Sequence, residues 1–270
     1  MSSISPTKPY VGVTGVTKQE ELEPLLQVFE QHGLHNSAYR TGMVGFLASK
    51  ELVTGGSSTN PRHVKDLPSL VKLAEKTGTR ALPVVHYETN GEHEFATHLI
   101  NIFHDLYRDH LCRTAQINGT PSKKEIERIL EAYPEMQLIY QVRPTLMKQG
   151  VVAVLDEIDQ HRGAFQHVLI DPSCGQGKDI VIDEAIKIHV ALKRTFGSDV
   201  IVGFAGGFNR QNAAQRVCTF VRNLSHPFFS VDAEKGLRSE MNDQLSLPHV
   251  QGYVQGVMAG FRTARTGRTI

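Results

Sequence analysis

Eight short runs rich in Val, Ile, Leu and Phe recur along this 270-residue chain at intervals of roughly 25–40 residues, about the length of one strand–helix–strand repeat. They fall at residues 10–14, 43–48, 81–86, 113–117, 136–142, 167–170, 199–204 and 228–231. Most are apolar at successive rather than alternate positions, the signature of a strand covered on both faces in a parallel sheet. Between them, segments such as 20–29 and 123–130 carry apolar residues at helical spacing and read as amphipathic helices. Eight such units over roughly 250 residues match a (β/α)8 barrel. The predicted class is therefore α/β, a single TIM-type barrel domain over residues 1–270. A doubly wound open sheet is the alternative. Residues 1–8 are expected to form a flexible N-terminus, and 262–270, with three arginines, a basic, solvated C-terminal tail.

Composition removes several function classes. With 29 Lys+Arg against 28 Asp+Glu the formal charge is +1, so no general basic field draws the chain to nucleic acid. No apolar run approaches the roughly 20 residues of a membrane helix, and the polar start lacks the apolar stretch of a secretory signal. Three cysteines without a CxxC pair make neither a disulfide framework nor a structural zinc site, and a reducing, cytoplasmic setting is expected. No window calls for a cofactor. A homodimer is only the general prior for such chains.

Two Ser/Thr-x-x-Glu boxes, Thr17 to Glu20 and Ser122 to Glu125, mark helix starts a few residues after strands. The last helix is expected to begin near Leu237 and to be broken by Pro248. The Gly/Ser/Thr-rich stretch at 54–60 reads as an active-site loop.

Barrels of this class carry their chemistry at the C-terminal ends of strands, which confines the search to eight windows. Gly206 and Gly207 after the seventh strand, and Lys235 and Gly236 after the eighth, put backbone amides beside helix starts, where barrels hold phosphate; the alternative is that they only make tight turns. Asp171 closes the sixth strand, where a general acid or base is wanted, or else caps the turn before Pro172. Cys174 lies three residues on, either as a reactive thiol or as an ordinary loop residue. His86 and Glu88 share one face at the end of the third strand, as a proton-transfer pair or as two of three metal ligands. Among thirteen histidines no H-x-H or H-x-x-x-H pair supports a metal, and none is assigned. Arg143 and Lys50 end the fifth and second strands, where cations suit an anionic substrate or a rim salt bridge. Gln116 and Asn118 offer amides to a substrate.

The segments Gly15-Val-Thr-Lys-Gln-Glu20, Leu169-Ile-Asp-Pro-Ser-Cys-Gly-Gln-Gly177, Phe204-Ala-Gly-Gly-Phe-Asn209 and Ser230-Val-Asp-Ala-Glu-Lys-Gly236, in this order and spacing, resemble phosphoribosylanthranilate isomerases. That resemblance implies a barrel enzyme that opens an aminoaldose ring by acid catalysis and then removes a proton to form an enolamine. It makes Asp171 the acid and Gly206, Gly207 and Gly236 the phosphate site. The family's base, a cysteine at the end of the first strand, is replaced by Thr14, whose hydroxyl has no accessible deprotonated form near neutral pH. The expectation is an isomerase or lyase acting on a small phosphorylated, sugar-like substrate through another base, such as Glu88 or Cys174. The alternative is a degenerate barrel that binds a phosphate-bearing ligand without turning it over. Chain length around 50–65 and 90–110 exceeds that of a typical family member, which implies an altered cavity.

Overall fold

The structure, a computed structural model, describes residues 8–56, 58–88, 94–173, 176–224 and 226–266. Eight parallel strands, β1 (Tyr10–Thr14), β2 (Thr41–Ala48), β3 (Leu82–Glu88), β4 (Thr114–Asn118), β5 (Gln137–Val142), β6 (Phe165–Ile170), β7 (Ile201–Phe204) and β8 (Ser230–Ala233), close into a barrel in sequence order. β8 returns to β1 through Val11↔Val231, Gly12↔Asp232 and Val13↔Ala233. All eight predicted strands are present, including the short, polar β4. The connecting helices are α1 (Gln19–Gln31), α2 (Glu51–Thr54), α3 (Leu67–Thr77), α4 (Phe95–Arg108), α5 (Lys123–Ala132), α6 (Pro144–Met147), α7 (Val151–Gln160), α8 (Ile182–Phe196), α9 (Ala213–Leu224) and α10 (Leu247–Thr266).

The successive apolar residues of each strand divide by parity between two apolar regions. One set joins the helices in the large core between sheet and outer ring, where the Phe204 and Phe220 rings stack at 3.9 Å between centroids. The other set, Tyr10, Met43, Leu82, Val84, Ile139 and Leu169, forms a separate cluster that fills the barrel. Further along at the same inward parity, two residues on in β3, β5 and β6 and four residues on in β1, stand His86, Gln141, Asp171 and Thr14. The floor is thus apolar and the mouth polar. α10 lies close on α9 because Gly252, Gly256 and Gly260 share one helix face; a Cβ at Gly260 would stand 2.7 Å from the Ala214 carbonyl oxygen.

Local expectations fare unevenly. The α5 box is present, with Ser122 Oγ accepting from Glu125 N and Glu125 Oε2 accepting from Ser122 N, both at 3.3 Å. At α1 the box shifts by one residue: Glu21, not Glu20, reaches back, accepting from Thr17 N at 2.9 Å and Lys18 N at 3.3 Å. The last helix does not begin near Leu237. A 3-10 turn, Lys235–Leu237, and an antiparallel bridge from Arg238 to Leu245 intervene, and Pro248 sits in the first turn of α10, where its missing N–H costs no hydrogen bond. It therefore starts the helix instead of breaking it. The predicted tail is helical as far as Thr266. Residues 267–270, and 1–7 of the predicted N-terminus, lie outside the described residues.

Candidate active site

At the C-terminal end of the barrel the inward side chains line a cavity of about 180 Å³, open to solvent and of a size for a small metabolite. Its wall includes Thr14, His86, Glu88, Asp171, Gly206, Gly207, Lys235 and Gly236, all singled out by sequence, together with Arg62, Gln141, Asp232 and Glu234. Arg143 and Lys50 do not line it; Arg143 opens α6 and Lys50 is exposed at the start of α2. Cys174 lies outside the described residues.

Two carboxyl groups dominate the chemistry. Asp171 accepts from the backbone N and Oγ of Ser173, both at 2.8 Å, and from Gln141 Nε2 at 2.6 Å. Gln141 in turn accepts from Gln116 Nε2 at 3.0 Å, so a relay of two amides orients the carboxylate from β4 and β5. Asp232, in β8, receives the Thr14 hydroxyl at 3.0 and 3.1 Å on its two oxygens. Burial, reinforced by the charges of Asp171 and Glu234, pushes Asp232 up to about 8 against the pull of the Thr14 bond, so it is predominantly protonated at neutral pH. Room for this group comes from Gly12, where a Cβ would lie 2.5 Å from Asp232 Oδ1. Gly45, on β2 between Thr14 and His86, does the same for them: a Cβ there would lie 2.4 Å from Thr14 Oγ1 and 2.7 Å from His86 Nε2. These two atoms therefore converge over the β2 backbone. Burial lowers His86 to about 3, which keeps its imidazole neutral.

Of the predicted active-site loop, 54–60, Asn60 lines the cavity, and so do Arg62 and His63 just beyond it. His63 bridges to Leu47 at the end of β2, and His63 Nδ1 lies 2.8 Å from Ser58 Oγ and 3.1 Å from Ser49 Oγ. The neighbouring Arg62 is thereby carried across the mouth, pairing with Glu234 at 3.0 Å and forking onto Asp243 at 2.7 and 2.9 Å. Arg238 donates to the carbonyls of Gly15 and Asp243, both at 2.6 Å, and closes the same network onto β1. Burial raises Glu234, while Arg62 and Arg238 hold it down. Arg62→Ala would leave this carboxylate mostly buried beside one remaining cation. A loss of about 2–3 kcal/mol in urea unfolding at pH 7 is expected, shrinking toward pH 4 as Glu234 is protonated. A loss below about 0.5 kcal/mol would show the network to be dispensable.

At the strand 7 end, Gly206 and Gly207 have φ of 102° and 64°, a left-handed backbone that favours glycine. Arg216 of α9 donates to the Gly206 carbonyl at 3.1 Å and pairs with Asp179 at 2.8 Å. The Asp179 carboxylate rests on Gly207, 2.3 Å from where its Cβ would be. Gly236 is required for another reason: its Cβ would stand 2.2 Å from the Phe208 carbonyl oxygen, so the strand 7 and strand 8 loops pack backbone to backbone. Lys235 extends over Gly177 and donates to the Gln176 carbonyl at 3.1 Å. Among the described residues no group of three or more His, Cys, Asp or Glu could hold a metal ion, and no helix is long and apolar enough to cross a membrane.

Barrel closure, a polar mouth and a buried acidic pair define the class as a (β/α)8 barrel with a polar, carboxylate-bearing cavity. No protein-family model matches the chain, and no curated protein matches it in sequence. Solved structures do. Phosphoribosyl anthranilate isomerase from Thermococcus kodakaraensis superposes with a TM-score of 0.61 at 13% identity, over 92% of this chain and 98% of that one. The TrpF protein of Jonesia denitrificans gives 0.58 at 15% identity, over 96% and 100%. A phospho-2-dehydro-3-deoxyheptonate aldolase from Thermotoga maritima gives 0.55 at 10% identity, over 96% and 70%. At such identities the likeness is one of fold, and it agrees with the barrel expected from the sequence. That an aldolase shares it shows that the reaction must be argued from the site.

Proposed function

We propose that this protein is an isomerase-type enzyme acting on a small phosphorylated, sugar-like metabolite, with Asp232 giving a proton and Asp171 taking one. The reading is carried by one observation: two carboxyl groups face one cavity in different environments, one held as acceptor of three hydrogen bonds and the other pushed up to about 8. In an aldose-to-ketose step, Asp232 protonates the carbonyl or ring oxygen while Asp171 removes the proton from the adjacent carbon. Return of a proton to the former carbonyl carbon, with loss of one from the neighbouring hydroxyl, completes the isomerisation and restores both groups. Thr14, which cannot itself act as a base, contributes by fixing the Asp232 carboxyl. The roles implied by the resemblance are thus exchanged: Asp171, the acid there, is the base here, and the acid is Asp232, held beside the strand 1 position where the family's base stands.

The test is incubation with aldose and ketose 5-phosphates in deuterated water, followed by proton NMR. Catalysed loss of one carbon-bound proton signal, with interconversion of the pair, is expected. Absence of both exchange and interconversion across the panel would overturn the assignment.

A phosphate at the strand 7 loop would draw on Arg216, with the Gly206 and Gly207 backbone beside it, but it must first displace the Asp179 carboxylate. Asp179→Ala is accordingly expected to tighten inorganic phosphate about fivefold in calorimetric titration, the Coulomb scale for an exposed neighbouring charge. Unchanged or weaker binding would remove the phosphate from this loop.

A further inference from the structure

The β3–β4 wall carries polar atoms that the acid–base reading does not use. β3 and β4 pair His86 with Gln116 and Glu88 with Asn118, and all four side chains line the cavity. His86 is 5% exposed and Gln116 3%, yet His86 Nε2, Gln116 Oε1 and Asn118 Oδ1 have no hydrogen-bond partner among the described residues. Other buried polar atoms of the described residues share this condition, but only these three belong to side chains that line the cavity, and their grouping on one wall points to a ligand.

The relay fixes what kind. With Asp171 as terminal acceptor, Gln141 must turn its amide nitrogen to it and its carbonyl to Gln116. Gln116 must then spend its own nitrogen on Gln141, which leaves its carbonyl oxygen as an unused acceptor on a residue of the cavity wall. The Asn118 carbonyl and the Glu88 carboxylate extend this acceptor surface toward the rim. His86 Nε2, uncharged, gives or takes a proton according to tautomer. Hydroxyl groups satisfy every one of these atoms, since each can donate to a carbonyl and either donate to or accept from an imidazole; an aromatic or alkyl arm satisfies none.

We infer that the β3–β4 wall, through His86, Gln116 and Asn118, is a hydroxyl-recognition subsite that binds the polyol arm of the substrate. The inference rests on the reading of this cavity as a substrate site and narrows it: the substrate presents neighbouring hydroxyls, not an aromatic ring, to this side.

Unreactive probes separate the two readings. Ribitol 5-phosphate, pentyl phosphate of the same chain length without hydroxyls, and ribitol are titrated calorimetrically into the wild type and into Asn118→Leu and Gln116→Met. Thermal unfolding checks that each variant is folded; Asn118 stands outside the relay and supplies the decisive variant if Gln116→Met does not fold. Ribitol 5-phosphate is expected to bind at least tenfold more tightly than pentyl phosphate, with that ratio falling below about threefold in the variants while pentyl phosphate is unaffected. Equal affinity of the two phosphates for the wild type, or a ratio preserved in the folded variants, would overturn the subsite and leave the phosphorylated-substrate reading standing. Binding of ribitol that is lost in Asn118→Leu, with neither phosphate bound, would establish the subsite and remove the phosphate. Binding of none of the three would overturn both.

Discussion

Asp232→Asn should be more stable than the wild type at pH 9 by about 2–4 kcal/mol, an advantage that narrows as the pH falls toward 4. Burial raises the Asp232 carboxyl from an ordinary 3.8 to about 8 in the folded chain. Between these values the folded state keeps a proton that the unfolded state has released. Stability is therefore full below pH 4, declines as the pH rises, and reaches its lowest contribution above 8, where folding must bury a charge near Asp171 and Glu234. The amide has no proton to lose and accepts from Thr14 through its own oxygen, so the variant escapes this decline. Each pKa unit corresponds to about 1.4 kcal/mol, and local relaxation takes up part of the full shift. Chemical denaturation of both proteins at pH 5, 7 and 9 measures the difference directly. A difference that does not change with pH would mean that Asp232 is ionised in the folded protein across this range.

This carboxyl also marks where sequence reading stops. The strands were legible because a two-faced burial pattern needs successive apolar residues, and even β4, the most polar, keeps its apolar Ala115 and Ile117 at the parity facing the helices. Inward parity at strand ends was equally legible, and it brought His86, Asp171, Thr14 and the strand 7 and 8 glycines to one cavity. Asp232 stood in the same windows, but its significance lies in its depth and in the charge across the barrel, which no local pattern encodes. Arg62 gave still less signal. It enters from a loop, carried by the pairing of His63 with Leu47, and its partners Glu234 and Asp243 are 172 and 181 residues away in sequence. Arg143 and Lys50 failed in the opposite way: Arg143 directly follows β5 and Lys50 lies two residues past β2, but each caps a short helix and stands off the cavity wall. The roles of Gly12 and Gly45, which clear space for polar side chains, also depend on neighbours from other strands.

Asp171→Asn is expected to lower turnover by a factor of about 10²–10⁴ while changing ligand affinity little, because it removes the proton acceptor from a group whose other interactions orient it. The substitution keeps an oxygen for Gln141 but turns an amide toward Ser173, so a structural disturbance has to be distinguished from a chemical one. The coupling to Asp232 provides that distinction. The charge of Asp171 is among the causes that raise Asp232, second to burial among those acting in that direction. Removing it must move the Asp232 titration, and with it the alkaline fall in kcat/KM expected near pH 8, toward lower pH. A carbon-13 NMR titration of the Asp232 carboxyl reads the same shift without any substrate. If the two groups work as one unit, Asp171→Asn combined with Asp232→Asn should be no slower than about tenfold below the slower single variant, since the second loss removes a function already absent. Full additivity, together with an Asp232 titration unmoved by Asp171→Asn, would place the two carboxyls in separate roles and overturn the acid–base pair.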